Sequence, residues 1–303
     1  MSTAGLGLKV SEERRPLASA AGLSERVGRL AVRSLYNEAA LYPKPGLVSP
    51  VDNGSHADMS MATFYRSLFA LRRYFPAITR AGAADPELCE LQALGLVAER
   101  DMLRATAGVN THRGAIFHLG LLCAATGRLH QQGAVPTSAA LCRTVAERWS
   151  DAILQSAQSA QLDPKQTSHG LQVLRRYSVG GARAEAAAGF PNVMGASLHA
   201  YRRVLRATGD ARRAGVQALF VLIERTEDSN LLWRGGLEGA RFARQCATAF
   251  LRNGGAVADD WLRDAASIHR QFVARNLSPG GCADLLAVTL FLHACEVDLG
   301  FFL

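Results

Sequence analysis

The stretch LLAVTLFLHAC, residues 285–295, is a strongly apolar run without a charged side chain. A membrane-spanning helix needs about 20 consecutive apolar residues, so this run is too short to cross a bilayer. The length and apolar character of this run favour a helix that is buried in the core of a globular protein. We therefore expect residues 281–300 to form a core helix.

The same helical period recurs along most of the chain. Alanine, leucine and arginine dominate the long segments, and apolar residues return every three or four positions, as in amphipathic helices. No segment shows the sustained alternation of a strand. The pattern predicts an all-α fold, a single-domain multi-helix bundle at 21–303 that follows a flexible tail at 1–20. The expected helices are 22–41, 60–81, 86–105, 114–127, 137–160, 192–208, 211–225, 236–252, 258–275 and 281–300.

Helix ends also carry recognisable signals. Gly82, Gly127 and Gly209 stand where a helix C-terminus favours a left-handed residue. The polar residues of PTS (136–138) and TGD (208–210) are suited to cap the helices that follow them.

Composition limits the classes of partner and compartment. The chain is 49% hydrophobic and 20% charged, with a net charge of +8, which is typical of a globular protein with a preference for polyanionic ligands such as nucleotides. Its basic residues are scattered, without a basic tail or a nucleic-acid-binding motif, so no nucleic-acid partner is expected. Neither a membrane partner nor a secretory signal is indicated. The six cysteines lack zinc-site spacing and are expected to be reduced thiols in the cytoplasm.

Polar residues concentrate in six breaks between the expected helices. In a helical bundle, several helix ends gathered at one pole form a ligand site. The breaks are LYPKPGLVSPVDNGSHADM (41–59), GVNTHRG (108–114), SHG (168–170), VGGARAEAAAGFPNV (179–193), ERTEDSNLLWRGG (224–236) and RNLSPGG (275–281).

The first break contains a lysine that could bind a phosphate group. Lys44 lies between Pro43 and Pro45, which restrict the backbone to extended shapes and hold the cation stiffly. The simpler interpretation is a rigid connector in which Asp58 caps the next helix.

The polar residues of the other breaks also have two interpretations, a role in ligand binding or catalysis and a role in helix capping. His56, His112 and His169 each follow Ser or Thr in a break and are candidates for proton transfer as a group. Asn110 or Thr111 could cap a helix whose N-terminus, beside Arg113, suits an anion. Four carboxylates could bind magnesium or cap a helix: Asp58, Glu185, Asp228 and Asp284. Two arginines, Arg183 and Arg234, could bind phosphate or be solvated surface charges.

Taken together and in this order, the breaks resemble the triphosphoribosyl-dephospho-coenzyme A synthase family. The resemblance implies an all-α enzyme that uses ATP with Mg²⁺. It implies that the ribose 2′-hydroxyl of 3′-dephospho-CoA attacks C1′ of the ATP ribose and adenine leaves. The product would pass to the transferase that loads an acyl carrier protein of malonate decarboxylase or citrate lyase. The matching stretches are PKPGLV, NGSHADM, RATAGVNTHRGAIFHLGLLCAA, GARAEAAAGFP, EDSN with RGG, and RNLSPGGCADLLA.

The resemblance implies roles for these residues. Glu185 or Asp58 would act as base or stabilise an oxocarbenium-like state. His56 or His112 would donate a proton to adenine or orient the ligand. The implied nucleotide ligands are Lys44, Asn53, Asn110, Arg113, Arg183 and Arg234, and the implied magnesium ligands are Asp228 with Asn230 or Asp58.

Two departures from the family pattern and two alternatives accompany this interpretation. Arg113 replaces a frequent Lys and Ser229 a frequent Thr, and both changes keep the charge or the hydroxyl group. Residues 128–168 match no part of the family that we can name. The same residues also fit a Mg-dependent nucleotide N-glycosidic hydrolase, or a non-catalytic basic nucleotide-binding protein.

Overall fold

Helices form nearly all of the regular structure in the computed structural model, which describes residues 20–162, 168–177 and 179–299. No strand occurs in these ranges, so the predicted all-α fold is confirmed. The tail predicted at 1–20 lies outside the described residues, except that Ala20 begins the first helix. The α-helices are α1 (Ala20–Ala39), α2 (Met61–Leu71), α3 (Tyr74–Gly82), α4 (Leu88–Ala105), α5 (Arg113–Gln131), α6 (Ser138–Leu162), α7 (His169–Tyr177), α8 (Gly181–Ala187), α9 (Leu198–Thr208), α10 (Ala211–Arg225), α11 (Ser229–Arg252), α12 (Trp261–Ala274) and α13 (Gly280–Asp298).

The helices share one hydrophobic core, to which α13 contributes heavily. Phe291 and Leu292 of this helix are fully buried, and α13 contacts α1, α5 and α10. Within the described ranges it is also the one helix whose length and composition would allow it to cross a membrane. Its burial among other helices confirms that LLAVTLFLHAC is the predicted core helix.

Several helix boundaries follow from local chemistry. The predicted helix 60–81 is divided into α2 and α3, because Pro76 lacks the N–H that a continuous helix needs and is tolerated only in a first turn. The predicted helix 236–252 begins seven residues earlier, at Ser229, and Gly236 (φ 60°, ψ −160°) marks a kink inside α11. Two short helices were not predicted: α7 begins in the 168–170 break and continues beyond it, and α8 lies inside the 179–193 break.

The capping signals were correct, and the glycine signals only in part. Asp210 accepts hydrogen bonds from Arg212 N and Arg213 N at the start of α10, and Gly209 ends α9 in the left-handed conformation. Gly127 does not end a helix, because α5 continues to Gln131. A Cβ on Gly127 would lie 1.9 Å from the Thr79 carbonyl oxygen, so this glycine allows α3 and α5 to approach closely.

Candidate active site at the gathered helix ends

All six polar breaks line one large cleft with a volume of about 1930 Å³. The N-terminal ends of α5, α7, α8, α11 and α13 open onto it, together with the C-terminal end of α1. Pockets for a drug-sized molecule occupy about 300–1,000 Å³. The cleft therefore has room for two nucleotide-sized molecules side by side.

The first break is a fixed part of the fold. Arg212 Nε donates a hydrogen bond to the Tyr42 carbonyl at 2.6 Å, and Ser55 Oγ donates to the Leu277 carbonyl at 2.7 Å. His269 of α12 holds the segment through ring contacts of 2.7 Å with Lys44 O and 3.1 Å with Asp52. A side chain at Gly46 would collide with Leu277 O. This break therefore forms a built wall of the cleft.

Lys44 is buried in that wall in an ion pair that sequence reasoning missed. Its Nζ lies 2.7 Å from Glu38 Oε1 and 2.8 Å from Glu38 O, and both side chains are almost fully buried. Burial lowers the pKa of Lys44, against the attraction of Glu38. Glu38 lies in the last turn of α1 and also lines the cleft. No signal distinguished it from any other polar residue of an amphipathic helix.

His56 lies in a network that fixes its tautomer. Arg234 Nη2, which can only donate, is 3.1 Å from His56 Nδ1, so His56 Nε2 carries the hydrogen and donates to Ser278 Oγ at 2.9 Å. Burial and then the charge of Arg234 lower the pKa of His56 to about 4. His56 is therefore neutral near pH 7 and suited to orient a ligand. Asp58 is 3.8 Å away and exposed at the rim.

Arg234 belongs to the same network. Its Nη1 donates to the Ser55 carbonyl and to Asn276 Oδ1, both at 2.8 Å. These bonds join the 41–59 and 275–281 breaks to α11. The guanidinium is partly buried, and desolvation lowers its pKa. The charge of Arg234 is thus held in place at the cleft wall.

His112 presents an unpaired ring nitrogen. Its Nδ1 is 2.6 Å from Ser67 Oγ, while the buried Nε2 has no hydrogen-bond partner. Burial, with a smaller effect of Lys44, lowers the pKa of His112 to about 3. Two more cleft residues, Thr111 and His118, also carry a buried polar atom without a partner. Such atoms are rare in folded proteins, and three beside one cleft indicate a site for a polar ligand.

Glu185 of α8 is held rigidly by Asn192. The backbone N and side-chain Nδ2 of Asn192 donate to the two carboxylate oxygens at 2.9 and 2.8 Å. Burial nevertheless raises the pKa of Glu185, against these hydrogen bonds. Arg183, two residues earlier, is also partly buried and donates to Ser156 O at 3.4 Å. Both side chains line the cleft.

Asp228 joins the starts of two helices. Its Oδ1 accepts from Asn230 N and Leu231 N at 2.7 and 3.1 Å, and its Oδ2 accepts from Cys282 N at 2.8 Å. The capping interpretation is thus correct for the start of α11. The same carboxylate, almost fully buried, also faces the cleft.

For Asp284 the capping alternative is wrong, and the magnesium alternative stays a prediction. Asp284 does not cap α13, whose N-cap is Pro279 without a side-chain bond. Its Oδ2 instead lies where a Cβ of Gly114 would be, and it accepts a hydrogen bond from the backbone of Ala115 in α5. Burial, then the charges of Glu38 and Asp228, raise its pKa well above the usual range. The charges of two other carboxylates thus act on Asp284.

These carboxylates bear on the predicted magnesium site. Within the described ranges, no group of three or more His, Cys, Asp or Glu side chains is arranged to hold a metal ion. Magnesium usually binds one or two carboxylates together with substrate phosphates and water. After burial, the charges of Glu38 and Asp228 also raise the pKa of Asp284, and a divalent cation relieves repulsion of this kind. The residues therefore fit a magnesium ion that is carried by a phosphorylated substrate.

The remaining predicted ligands are placed differently. Asn110 lines the cleft and accepts a hydrogen bond from Arg113 N, the first N–H of α5, at 3.1 Å, although the N-cap position itself is His112. Arg113 also lines the cleft, and its Nε donates to Glu99 at 2.6 Å. Asn53 is exposed and is not part of the cleft lining. Its carbonyl accepts from His56 N at 3.2 Å, so its contribution is to shape the loop.

An all-α fold whose helix ends surround a polar cleft of this size defines a helical enzyme with a nucleotide-sized site. The family model described as CitG, ATP:dephospho-CoA triphosphoribosyl transferase, matches residues 24–301, and the chain belongs to this family.

Proteins of several bacteria are similar over most of their length. The chain is 40% identical over 277 residues to the 2-(5''-triphosphoribosyl)-3'-dephosphocoenzyme-A synthase of Klebsiella pneumoniae, covering 89% of this chain and 91% of that protein. It is 38% identical over 271 residues, with the same coverage, to a protein of Acinetobacter calcoaceticus named "Probable 2-(5''-triphosphoribosyl)-3'-dephosphocoenzyme-A synthase". No solved structure matches the chain.

Proposed function

We propose that this protein transfers the 5-triphosphoribosyl group of ATP to the ribose 2′-hydroxyl of 3′-dephospho-CoA and releases adenine. The observation that carries the proposal is the meeting of all six polar breaks in one cleft of about 1930 Å³. Both substrates are nucleotides, and the cleft has room for two. Membership of the transferase family supports the same reaction.

The reaction needs two proton transfers, one from the acceptor hydroxyl and one to the departing adenine. The acceptor hydroxyl loses its proton as its oxygen bonds to C1′, and the C1′–N9 bond breaks with its electron pair passing to adenine, which gains a proton. Glu185 suits the base, since Asn192 fixes its carboxylate and its raised pKa favours taking up a proton. Asp58 is a more exposed alternative.

His112 suits the leaving-group side. Its neutral ring lines the cleft and carries a buried nitrogen without a hydrogen-bond partner. Where the Ser67 hydroxyl donates to Nδ1, Nε2–H would donate a hydrogen bond that stabilises departing adenine, and the proton that adenine gains would come from solvent. His56 would orient the ligand through its fixed network.

The triphosphate stays on the transferred group and needs positive charge. Four of the cations that line the cleft would supply it, namely Arg183, Arg234, Arg113 and Lys44. Magnesium would be held by the phosphates with Asp228 or Asp284, beside Asn230, and would neutralise the charge of the triphosphate.

Measuring adenine release tests the proposal. Purified protein with Mg²⁺ and ATP is incubated with and without 3′-dephospho-CoA, and adenine is followed by chromatography. We expect release only when both substrates are present. Release that does not depend on 3′-dephospho-CoA would establish the N-glycosidic hydrolase instead, and no release with full ATP binding would support the non-catalytic binding protein.

The destination of the product is a further part of the proposal. We place the enzyme in the cytoplasm, where its product would pass to the transferase that loads an acyl carrier protein of malonate decarboxylase or citrate lyase. Incubating the product with each carrier protein and its transferase, and measuring the mass of the carrier, distinguishes the two. A mass gain on neither carrier would contradict this destination.

A further inference from the structure

Two aromatic side chains form a stacked pair in the lining of the cleft. The rings of His169 and Trp233 have centroids 4.2 Å apart and planes that differ by 16°. Other aromatic contacts of the described cleft lining are edge-on or tilted, at 81° for Phe64 with His112 and 53° for Phe117 with His118. The near-parallel pair is therefore the one among these contacts to which a further planar group could be added as a third layer of the stack.

Trp233 is exposed to an unusual degree for its type. It is 42% exposed, whereas Trp149 and Trp261 are 0% and 5% exposed. His169 covers one face of the indole ring, and the exposed fraction leaves ring surface for a second planar group. His169 is itself exposed. The pair thus resembles a surface for stacking more than a core contact between α7 and α11.

The neighbours of Trp233 on α11 supply polar groups. Asn230, three positions earlier, is a neighbour on the helix surface and lines the same cleft. Its amide can both donate and accept hydrogen bonds, as the edge of a nucleobase requires. Stacking holds a base by its face without regard to its identity, and an amide at the edge adds selectivity.

We propose that the Trp233–His169 pair is a stacking platform for an adenine ring. This inference rests on the proposed function, because both proposed substrates, ATP and 3′-dephospho-CoA, carry adenine. Each could be the source of the ring that stacks here, and separate binding measurements with the two distinguish them.

Binding titrations with four probes test the platform. Adenosine, ATP, 3′-dephospho-CoA and inorganic tripolyphosphate are titrated separately into the wild type, Trp233→Leu and Trp233→Phe by calorimetry. A stacked base contributes about a 5- to 150-fold change in affinity. We expect Trp233→Leu to bind adenosine and one of the two substrates at least about 5-fold more weakly, Trp233→Phe to lose less, and tripolyphosphate to bind all three proteins alike.

Fluorescence gives an independent readout of the same contact. Adenosine should quench the emission of Trp233, the one exposed tryptophan of the described residues. The control variant Trp261→Phe should keep this quenching, and Trp233→Phe should lose it. Circular dichroism confirms that each variant is folded, and Trp233→Phe keeps an aromatic side chain at the contact if Trp233→Leu does not fold.

The inference and the proposed function fail in different ways. Unchanged adenosine affinity in folded Trp233→Leu, or quenching that persists in Trp233→Phe, overturns the platform even if adenine is released from ATP. Weakened adenosine binding in a protein that transfers nothing to 3′-dephospho-CoA keeps the platform and overturns the function. An equal loss of tripolyphosphate binding also overturns the platform, because the variant then disturbs the cleft as a whole.

Discussion

Replacing Lys44 with Met removes the positive half of a buried ion pair. Lys44 Nζ is 2.7 Å from Glu38 Oε1, and the two side chains are 1% and 5% exposed, so water does not screen the pair. Leaving one buried charge without its partner costs about 3–5 kcal/mol. We expect Lys44→Met to lower the free energy of unfolding by an amount in this range.

A second variant distinguishes the effect of the ion pair on stability from any effect of Lys44 on ligand binding. Combining Lys44→Met with Glu38→Gln leaves no unpaired charge, so we expect most of the lost stability to return. Urea unfolding followed by circular dichroism measures the three proteins. A loss below about 1 kcal/mol in the single variant, the range of exposed pairs, would refute the reasoning, because the pair would then be solvated.

The double variant also tests whether Lys44 serves the ligand. A hydrogen bond to a charged group contributes about 1.5–3 kcal/mol, so losing a phosphate contact should weaken ATP binding by about 10- to 100-fold. Calorimetry on the double variant measures this without the complication of unfolding. Unchanged ATP affinity would return residues 41–59 to the role of a rigid connector.

Three further predictions concern other cleft residues. Because His56 and His112 have pKa values of about 4 and about 3 in the fold, below the unfolded value of about 6.5, their stabilisation is fully present above pH 6.5 and is lost as pH falls towards the folded values. Urea unfolding should show up to about 1.4 kcal/mol per pH unit for each histidine, and an unchanged slope in His112→Gln would contradict this. Asp284 has a raised pKa, so Asp284→Asn should unfold at a higher temperature than the wild type at pH 7 to 8 while losing turnover; an active variant or a lower melting temperature would count against the buried cluster. Glu185→Gln keeps the shape of the side chain and should reduce adenine release by at least about 100-fold with little change in ATP affinity, and wild-type release would remove Glu185 as the base.

The helices were largely predictable because their signal is local. Apolar residues at helical spacing identify α1, α10 and α13, and Asp210 and Gly209 mark a boundary by their own chemistry. The split between α2 and α3 could also have been expected from Pro76. The α7 and α8 helices were missed because each has fewer than ten residues and lies among glycines.

The site was predictable as a set of segments but not as an arrangement. Proline, glycine and histidine mark the breaks in the sequence, and all six meet in the cleft. Glu38 and Ser67 were missed because they lie inside helices, where a polar residue carries no local sign of its partner. The capping alternative for Asp284 failed because its carboxylate lies beside Gly114, 170 positions earlier in the chain, and the sequence carries no local sign of this contact.

The measurement that tests the central proposal most directly compares two acceptors. Protein, ATP and Mg²⁺ are incubated with 3′-dephospho-CoA or with its 2′-deoxy analogue, and adenine and the mass of the nucleotide product are measured together. The proposed function predicts adenine in equal amount to a triphosphoribosylated product with the first acceptor, and neither with the second. Adenine release with the 2′-deoxy analogue would contradict it, since no 2′-hydroxyl would then be needed for the glycosidic bond to break.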